Sequence, residues 1–150
     1  MCDRHTFAFD VDKAYADQLV AVLEDSPEHP LVASEAPARI GGYALYVRTE
    51  EAPVYVGKVD SSAGLRRRLA EHAGKTGGRE NIDLADVLCR FLCIQERWQV
   101  ARAEDVLIKH YDPAWNKIRG FGMHVPGSGR PGMPGYLNEW DQLYPLKPTT

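Results

Sequence analysis

Residues 41–72 read GGYALYVRTEEAPVYVGKVDSSAGLRRRLAEH, and the first half of this stretch contains two short apolar runs. Residues 43–47 and residues 54–57 are rich in tyrosine and valine, residue types that strands favour. The charged sequence RTEEAP separates the two runs and suits a surface turn. We therefore predict that the two runs form an antiparallel β-hairpin.

The second half of the stretch predicts a helix over residues 63–73. Ser61 and Ser62 offer a side-chain oxygen for its N-cap, and Leu65 and Leu69 form one apolar stripe. Three consecutive arginines occupy the other faces. A helix with one apolar side and one basic side is thus expected to follow the hairpin.

The rest of the chain predicts two more helices and one more strand. Apolar residues recur every three or four positions in residues 11–23 and in residues 99–111, as they do in amphipathic helices. Residues 87–95, VLCRFLCIQ, predict a mostly buried strand. Glycine-rich loops are predicted over residues 74–81 and 120–135. The predicted fold class is α+β, with a small three-stranded antiparallel sheet flanked by helices and a glycine-rich C-terminal loop region.

The chain has 150 residues, of which 44% are hydrophobic and 26% charged, a composition typical of one globular domain. Its net charge is −3, but residues 1–37 carry two Lys/Arg against eight Asp/Glu, which leaves the remainder basic. We divide the domain into an acidic helix and connector (1–37), a core (38–118) and a C-terminal extension (119–150). This distribution is compatible with a polyanionic partner, because phosphate affinity depends on where lysine and arginine are placed.

The sequence also bears on where the protein is located. It contains no run of eighteen apolar residues, and the N-terminus MCDRHTFAFDVD lacks the basic and apolar regions of a signal peptide. Of the three cysteines, Cys89 and Cys93 lie in an apolar stretch and resemble small buried hydrophobic residues more than a disulfide framework. We therefore predict a soluble, cytoplasmic protein that does not contact the membrane.

Several polar residues stand out, although each has an ordinary structural explanation. Tyrosines such as Tyr43 and Tyr55 commonly pack on a half-buried sheet face. Glu104, taken alone, is a surface charge on its helix. Arg68 and His72 are four residues apart and therefore lie on one side of their helix, which places a cation beside a titratable imidazole.

The order of these residues along the chain resembles the GIY-YIG nuclease superfamily. Gly41-Gly42-Tyr43 stands for the first tripeptide of that family and Tyr55-Val56-Gly57 for the second. The spacing of Arg68 and His72 and the tail GFGMHVPGSGR resemble the restriction-endonuclease branch whose members read CCGCGG. The polar residues that match the catalytic pattern are Tyr43, Tyr55, Arg68, His72, Glu104 and Asn116.

The resemblance implies a metal-dependent endonuclease that hydrolyses double-stranded DNA at a short GC-rich palindromic site. Glu104 would hold one divalent cation, Mg²⁺, which prefers a carboxylate together with waters and substrate phosphate. Arg68 would clamp the scissile phosphate and Tyr55 would donate a hydrogen bond to it. Either Tyr43 or His72 would be the general base, and Asn116 would close the site by hydrogen bonding.

The DNA contacts are expected from basic residues around this site and in the C-terminal extension. The predicted contacts are Lys58, Arg66, Lys75, Arg119, His124 and Arg130. A palindromic target implies a homodimer, at least on DNA, and a cognate DNA methyltransferase that acts on the same site. The alternatives are a structure-specific or nicking nuclease of the same superfamily, a DNA-binding module without catalysis, and a small protein-binding α/β domain.

Overall fold

The computed structural model describes residues 4–122 and 137–148, in which four strands form one antiparallel sheet. The strands are β1 (His29–Pro30), β2 (Gly41–Val47), β3 (Tyr55–Val59) and β4 (Val87–Cys93), and their order in space is β1-β4-β2-β3. The helices are α1 (Val11–Asp25), α2 (Gly64–Thr76), α3 (Arg97–Tyr111) and α4 (Glu139–Leu143). Short 3₁₀ turns lie at Leu31–Ala33, Leu84–Asp86 and Ala114–Lys117. In this order β4 and β2 are the inner strands, and β3 forms one edge of the sheet.

The central strand β2 is buried on both faces. Tyr43 and Leu45 contribute to one apolar core, and Ala44 and Tyr46 contribute to the other. A strand covered on both faces carries a continuous apolar run instead of an alternating one. This explains why the sequence of β2 shows no polar side.

Each face of the sheet packs against different helices. The face of Tyr43 packs against α2 and against the rings of Trp115, Phe121 and Trp140. The opposite face packs against α1 and α3, which bury their apolar stripes there. The hairpin, helix α2 and the two flanking helices therefore agree in type and order with the prediction from sequence.

The sheet has four strands, so the prediction of three strands was wrong. The additional strand is β1, whose His29 and Pro30 pair with Cys89 and Leu88 of β4. A two-residue strand is too short to produce an alternating pattern. Its proline also reads as a break in the sequence, although proline is tolerated on an edge strand because it needs no ladder partner on its outer side.

The start of α2 also differs from the prediction. Ala63 is the N-cap residue and makes no side-chain cap hydrogen bond, so neither of the two preceding serines caps the helix. The backbone N–H groups of Leu65 and Arg66 instead donate to the carbonyl oxygens of Arg39 and Pro37. A carbonyl from a distant segment satisfies a helix N-terminus as well as a serine does, and a local sequence pattern cannot reveal it.

The other boundaries shift by a few residues. Helix α2 continues to Thr76, so the predicted loop over residues 74–81 begins three residues too early. Cys89 and Cys93 are free thiols, and Cys89 is fully buried in the core, as expected of a small hydrophobic residue. Within residues 4–122 and 137–148, none of the helices combines the length and the apolar character needed to cross a bilayer.

The end of the described chain folds back onto the C-terminal end of α2. The N–H of Glu80 donates to Pro145, and the N–H of Lys147 donates to Gly78. Arg79 forms a 2.6 Å ion pair with Asp141, and both side chains are about nine-tenths buried, with exposures of 11% and 10%. Short α4 is therefore fixed by a buried charge pair to the segment that follows α2.

Replacing Arg79 with Met should lower the free energy of unfolding by about 3 kcal/mol, because it leaves the carboxylate of Asp141 buried without a countercharge. Urea unfolding followed by circular dichroism measures this. Lys13→Met is the matched control, since it breaks an exposed ion pair with Asp17 and should leave stability unchanged. Equal effects of the two substitutions would show that the buried pair does not anchor α4.

Candidate active site

The position of Tyr43 is set by the glycine opposite it on the neighbouring strand. Tyr43 pairs with Gly57 across β2 and β3, and the tyrosine ring lies over the glycine. A Cβ atom at position 57 would come within 2.5 Å of Tyr43 Cζ and would collide with the hydroxyl group. The glycine of the YVG tripeptide thus provides the space through which the tyrosine hydroxyl reaches helix α2.

The hydroxyl of Tyr55 lies against a second glycine. A Cβ at Gly122 would be 2.6 Å from Tyr55 Cζ, so only glycine allows the chain to pass at this distance. The adjacent ring of Phe121 is fully buried and contacts Tyr55 edge-on, with 4.9 Å between ring centroids. The beginning of the C-terminal extension therefore packs directly on the tyrosines.

His72 joins this cluster from helix α2. Its Nε2 lies 2.7 Å from the hydroxyl oxygen of Tyr43, and its ring stacks on Phe121 at 4.8 Å. The side chain is fully buried, and Nδ1 has no hydrogen-bond partner among the described residues. Burial, together with the positive charges of Arg68 and Lys75, holds the pKa of His72 well below its usual range, so the imidazole is neutral at pH 7.

The environment of Tyr43 is equally unfavourable for a charge. Burial raises the pKa of Tyr43 well above its usual range, and the nearby Tyr55 adds to this effect. Arg68 acts in the opposite direction but does not reverse the shift. A tyrosine that acts as a base through its phenolate needs nearby cations that lower its pKa, and in the free protein the effect of Arg68 on the Tyr43 pKa is smaller than the effect of burial. Tyr43 and His72 are therefore both neutral and share one hydrogen bond.

Three neighbours hold the guanidinium group of Arg68. Its Nε donates to the Tyr43 hydroxyl at 3.2 Å, Nη1 donates to Glu71 at 3.1 Å, and Nη2 donates to the carbonyl oxygen of Gly122 at 3.5 Å. The side chain remains 27% exposed. This arrangement fixes the plane of the guanidinium group while leaving part of it accessible to an anion.

A groove of about 460 Å³ lies at the edge of β3 and is lined by residues from elements on both faces of the sheet. Arg68 reaches it from α2 on one face, and Glu104 reaches it from α3 on the other. Further lining residues are Lys58, Val59, Asp60, Ser61, Gly64, Arg67, Glu71 and Gly122. Of the six residues predicted to be catalytic, Arg68 and Glu104 line this groove, which contains side chains of both charges.

Two carboxylates that line this groove, Glu104 and the exposed Asp60, have no side-chain partner among the described residues, and Glu104 is the more buried of the two. It is half-buried, and within the described ranges it has no hydrogen-bond or ion-pair partner, whereas Glu71 is paired with Arg67 and Arg68. The described residues contain no cluster of three or more metal-ligating side chains. One free carboxylate beside open volume fits a hard cation that keeps most of its water ligands, and it does not fit a closed zinc site.

Asn116 occupies a different place from the one its predicted role suggests. Its side-chain oxygen accepts from the N–H of Val56 at 2.9 Å, and its side-chain nitrogen donates to the Val56 carbonyl at 2.8 Å. The amide thus pairs with the free edge of β3 as a neighbouring strand would. Asn116 is a support for the strand that carries Tyr55, and it does not line the groove.

The predicted DNA contacts are distributed unevenly. Lys58 lines the groove, and Arg66 and Arg119 are exposed, Arg66 with its Nε near the carbonyl of Ala36. Lys75 is half-buried and donates to the carbonyl oxygens of Gly120 and Phe121. His124 and Arg130 lie outside the described residues.

Sequence reasoning missed three parts of this site. The ion pairs of Glu71 could have been found, since it lies three residues after Arg68 and four after Arg67 on one helix. Phe121 and Gly122 gave no comparable signal, because their contact with Tyr55 and His72 depends on how the chain returns to the sheet.

The comparison with known families agrees with this geometry. The profile described as the Eco29kI GIY-YIG domain matches residues 43–149, the greater part of the chain and the part that contains the whole cluster. No curated protein sequence matches the chain. Both tyrosines, Arg68, His72 and Glu104 lie within the matched region, so the chain belongs to the Eco29kI GIY-YIG family and carries the domain of a restriction-type nuclease.

Proposed function

We propose that this protein is a Mg²⁺-dependent endonuclease of the restriction type that hydrolyses phosphodiester bonds in double-stranded DNA at a short GC-rich palindromic site. The observation that carries the proposal is the groove at the edge of β3. There a fixed but accessible arginine and a free carboxylate, Arg68 and Glu104, come together from opposite faces of the sheet. Phosphodiester hydrolysis requires both a clamp for the phosphate and a ligand for a cation.

The phosphate is bound by the basic side of the groove. Arg68 presents a planar set of donors that matches two phosphate oxygens, and its contacts to Tyr43 and Gly122 hold that plane in place. Lys58 adds a second positive charge from β3. The hydroxyl of Tyr55 lies close enough to Arg68 and Glu104 for both charges to act on its pKa. From this position the Tyr55 hydroxyl donates a hydrogen bond to the phosphate.

The proton of the attacking water is accepted by Tyr43 and His72 acting as a pair. A separate phenolate and a separate imidazolium are both opposed by burial. The neutral Nε2 of His72 is positioned to receive the hydroxyl proton of Tyr43 across 2.7 Å while the tyrosine oxygen takes a proton from water. The transfer leaves Tyr43 neutral and His72 as an imidazolium, whose charge is balanced by the negative charge that develops on the phosphoryl oxygens, and the proton returns through Tyr43 to the leaving oxygen.

Glu104 would hold the divalent cation. The cation would stabilise the negative charge that develops on the phosphoryl oxygens. The lack of any other partner for this carboxylate among described residues supports the assignment. A palindromic site would be cut by two copies of the chain, and a cognate methyltransferase would protect the host DNA. The resemblance to enzymes that read CCGCGG gives that sequence as the first site to test.

Digestion of a fully sequenced plasmid with the purified protein and Mg²⁺, followed by sequencing of the ends, tests the proposal. A single set of double-strand ends at one short palindrome is expected. Single-strand nicks, or cuts only at branched DNA, would instead indicate a structure-specific nuclease with the same site. Binding of DNA without cleavage under any divalent cation would indicate a non-catalytic module.

Replacing Glu104 with Gln should reduce the single-turnover cleavage rate by about 100-fold or more while DNA binding is retained, because the shape is kept but the cation ligand loses its charge. Asp105→Asn is the matched control, since it removes the same charge from the next residue of α3, which lines a separate cavity against α1. Cleavage by Glu104→Gln at the rate of the control would exclude Glu104 as the metal ligand.

The neutral state of His72 predicts a pH dependence of stability. The unfolded chain protonates this imidazole near its usual pKa of about 6.5, whereas the folded chain does not, so acid favours unfolding. The stability that His72 contributes is present above its ordinary pKa and is lost progressively as the pH falls below it toward the lower pKa of the folded state.

Urea unfolding at several pH values measures this contribution. His72→Gln should have a smaller loss of stability on acidification than the wild type. His110→Gln, which alters an exposed histidine on α3, should retain the loss seen in the wild type. Identical pH profiles for His72→Gln and the wild type would show that His72 is not held neutral by the fold.

A further inference from the structure

Lys75 lies on the same helix as Arg68 and His72 but does not line the groove. Its ammonium group donates to the carbonyl oxygen of Phe121 at 2.6 Å and to that of Gly120 at 3.3 Å. Its own carbonyl accepts from the indole of Trp140 and from Nε of Arg79. The side chain and the backbone carbonyl of Lys75 therefore both form hydrogen bonds to other segments of the chain.

The tripeptide that Lys75 holds, Gly120, Phe121 and Gly122, is fixed at its two ends. Gly120 has a φ of +98°, and a Cβ there would come within 2.5 Å of Asn138 Oδ1, so the chain passes tightly under the N-cap residue of α4. Gly122 accepts a hydrogen bond from Arg68 and passes over the hydroxyl of Tyr55. Lys75 binds the tripeptide between these two points.

The same tripeptide forms one wall of the catalytic cluster. Phe121 stacks on His72 with 22° between ring planes and meets Tyr55 edge-on at 80°. A displacement of the tripeptide by a fraction of an ångström would move the imidazole, the tyrosine hydroxyl and the acceptor of Arg68 together. The position of three reacting groups thus depends on one short segment.

We propose that Lys75 is a positioning residue of the nuclease, which sets the geometry of Tyr55, His72 and Arg68 by holding the carbonyl groups of Gly120 and Phe121. This inference rests on the proposed nuclease activity and replaces the expectation that Lys75 contacts DNA phosphate. A lysine that binds phosphate keeps its ammonium group exposed, whereas that of Lys75 is half-buried and already has two acceptors. Burial and the neighbouring Arg68 lower the pKa of Lys75, as expected of a structural cation.

The two roles of Lys75 predict different kinetics. Loss of a positioning residue should lower kcat by about 10- to 100-fold with little change in KM or in the DNA dissociation constant. Loss of a phosphate contact should weaken binding to all DNA and reduce the slope of log K against log salt by about one. Lys75→Met removes the charge and keeps the length of the side chain. Lys109→Met is the control, since Lys109 is exposed on α3 and lines a separate cavity instead of the groove.

The expected result is a reduced kcat for Lys75→Met, an unchanged salt slope, partial recovery in Lys75→Arg, and wild-type values for Lys109→Met. If Lys75→Met fails to fold, Phe121→Leu tests the proposal instead. This variant removes the ring contacts to His72 and Tyr55 but keeps both carbonyl groups. It should also lower kcat without weakening DNA binding. A reduced salt slope in Lys75→Met, or a kcat of Phe121→Leu equal to that of the wild type, would overturn the proposal.

A readout without DNA separates this proposal from the nuclease activity itself. The ring protons of His72 lie over Phe121 and are therefore shifted in the NMR spectrum by the phenyl ring current. Lys75→Met should change these shifts and Lys109→Met should not. If the shifts change in a protein that cuts no DNA, the positioning role is supported and the proposed activity fails; unchanged shifts overturn the positioning role.

Discussion

The cross-strand pair of Tyr43 and Gly57 is the constraint on which the candidate site depends. The tyrosine can lie across β3 only because its partner has no side chain, and its hydroxyl then reaches both His72 and Arg68. A methyl group at position 57 would displace that hydroxyl and separate the hairpin from helix α2. One glycine therefore links the register of two strands to the geometry of the reacting groups.

The order of the strands explains why the site forms at the edge of β3. Strand β2 is covered on both faces and is available only for packing, whereas β3 has one free side. Helices on opposite faces can meet only around such an edge, and there Arg68 and Glu104 line a common groove. Asn116 satisfies the backbone of Val56 on the same edge, which keeps the strand in place without closing the groove.

The sequence was sufficient for features encoded by local pattern. Spacing over a few residues predicts the hairpin, the location of Arg68 and His72 on one side of their helix, and the helix of Glu104. It was insufficient where distant segments interact. Four features depend on contacts between residues that are far apart in the sequence. They are the two-residue strand β1, the carbonyl groups that cap α2, the attachment of Asn116 to Val56 and the burial of Lys75. The burial that keeps Tyr43 and His72 neutral belongs to the same class, because it arises only when Phe121 returns to the sheet.

The most direct test of the proton-accepting role of Tyr43 is the single-turnover cleavage rate of Tyr43→Phe. This substitution keeps the ring over Gly57 and removes only the hydroxyl that joins His72 to Arg68. We expect an unchanged DNA dissociation constant and a cleavage rate reduced by about 100-fold or more, since a proton-accepting group is lost. Tyr46→Phe, on the opposite face of β2, should cut at the wild-type rate. Cleavage by Tyr43→Phe at the same rate as Tyr46→Phe would show that the Tyr43 hydroxyl takes no part in the reaction.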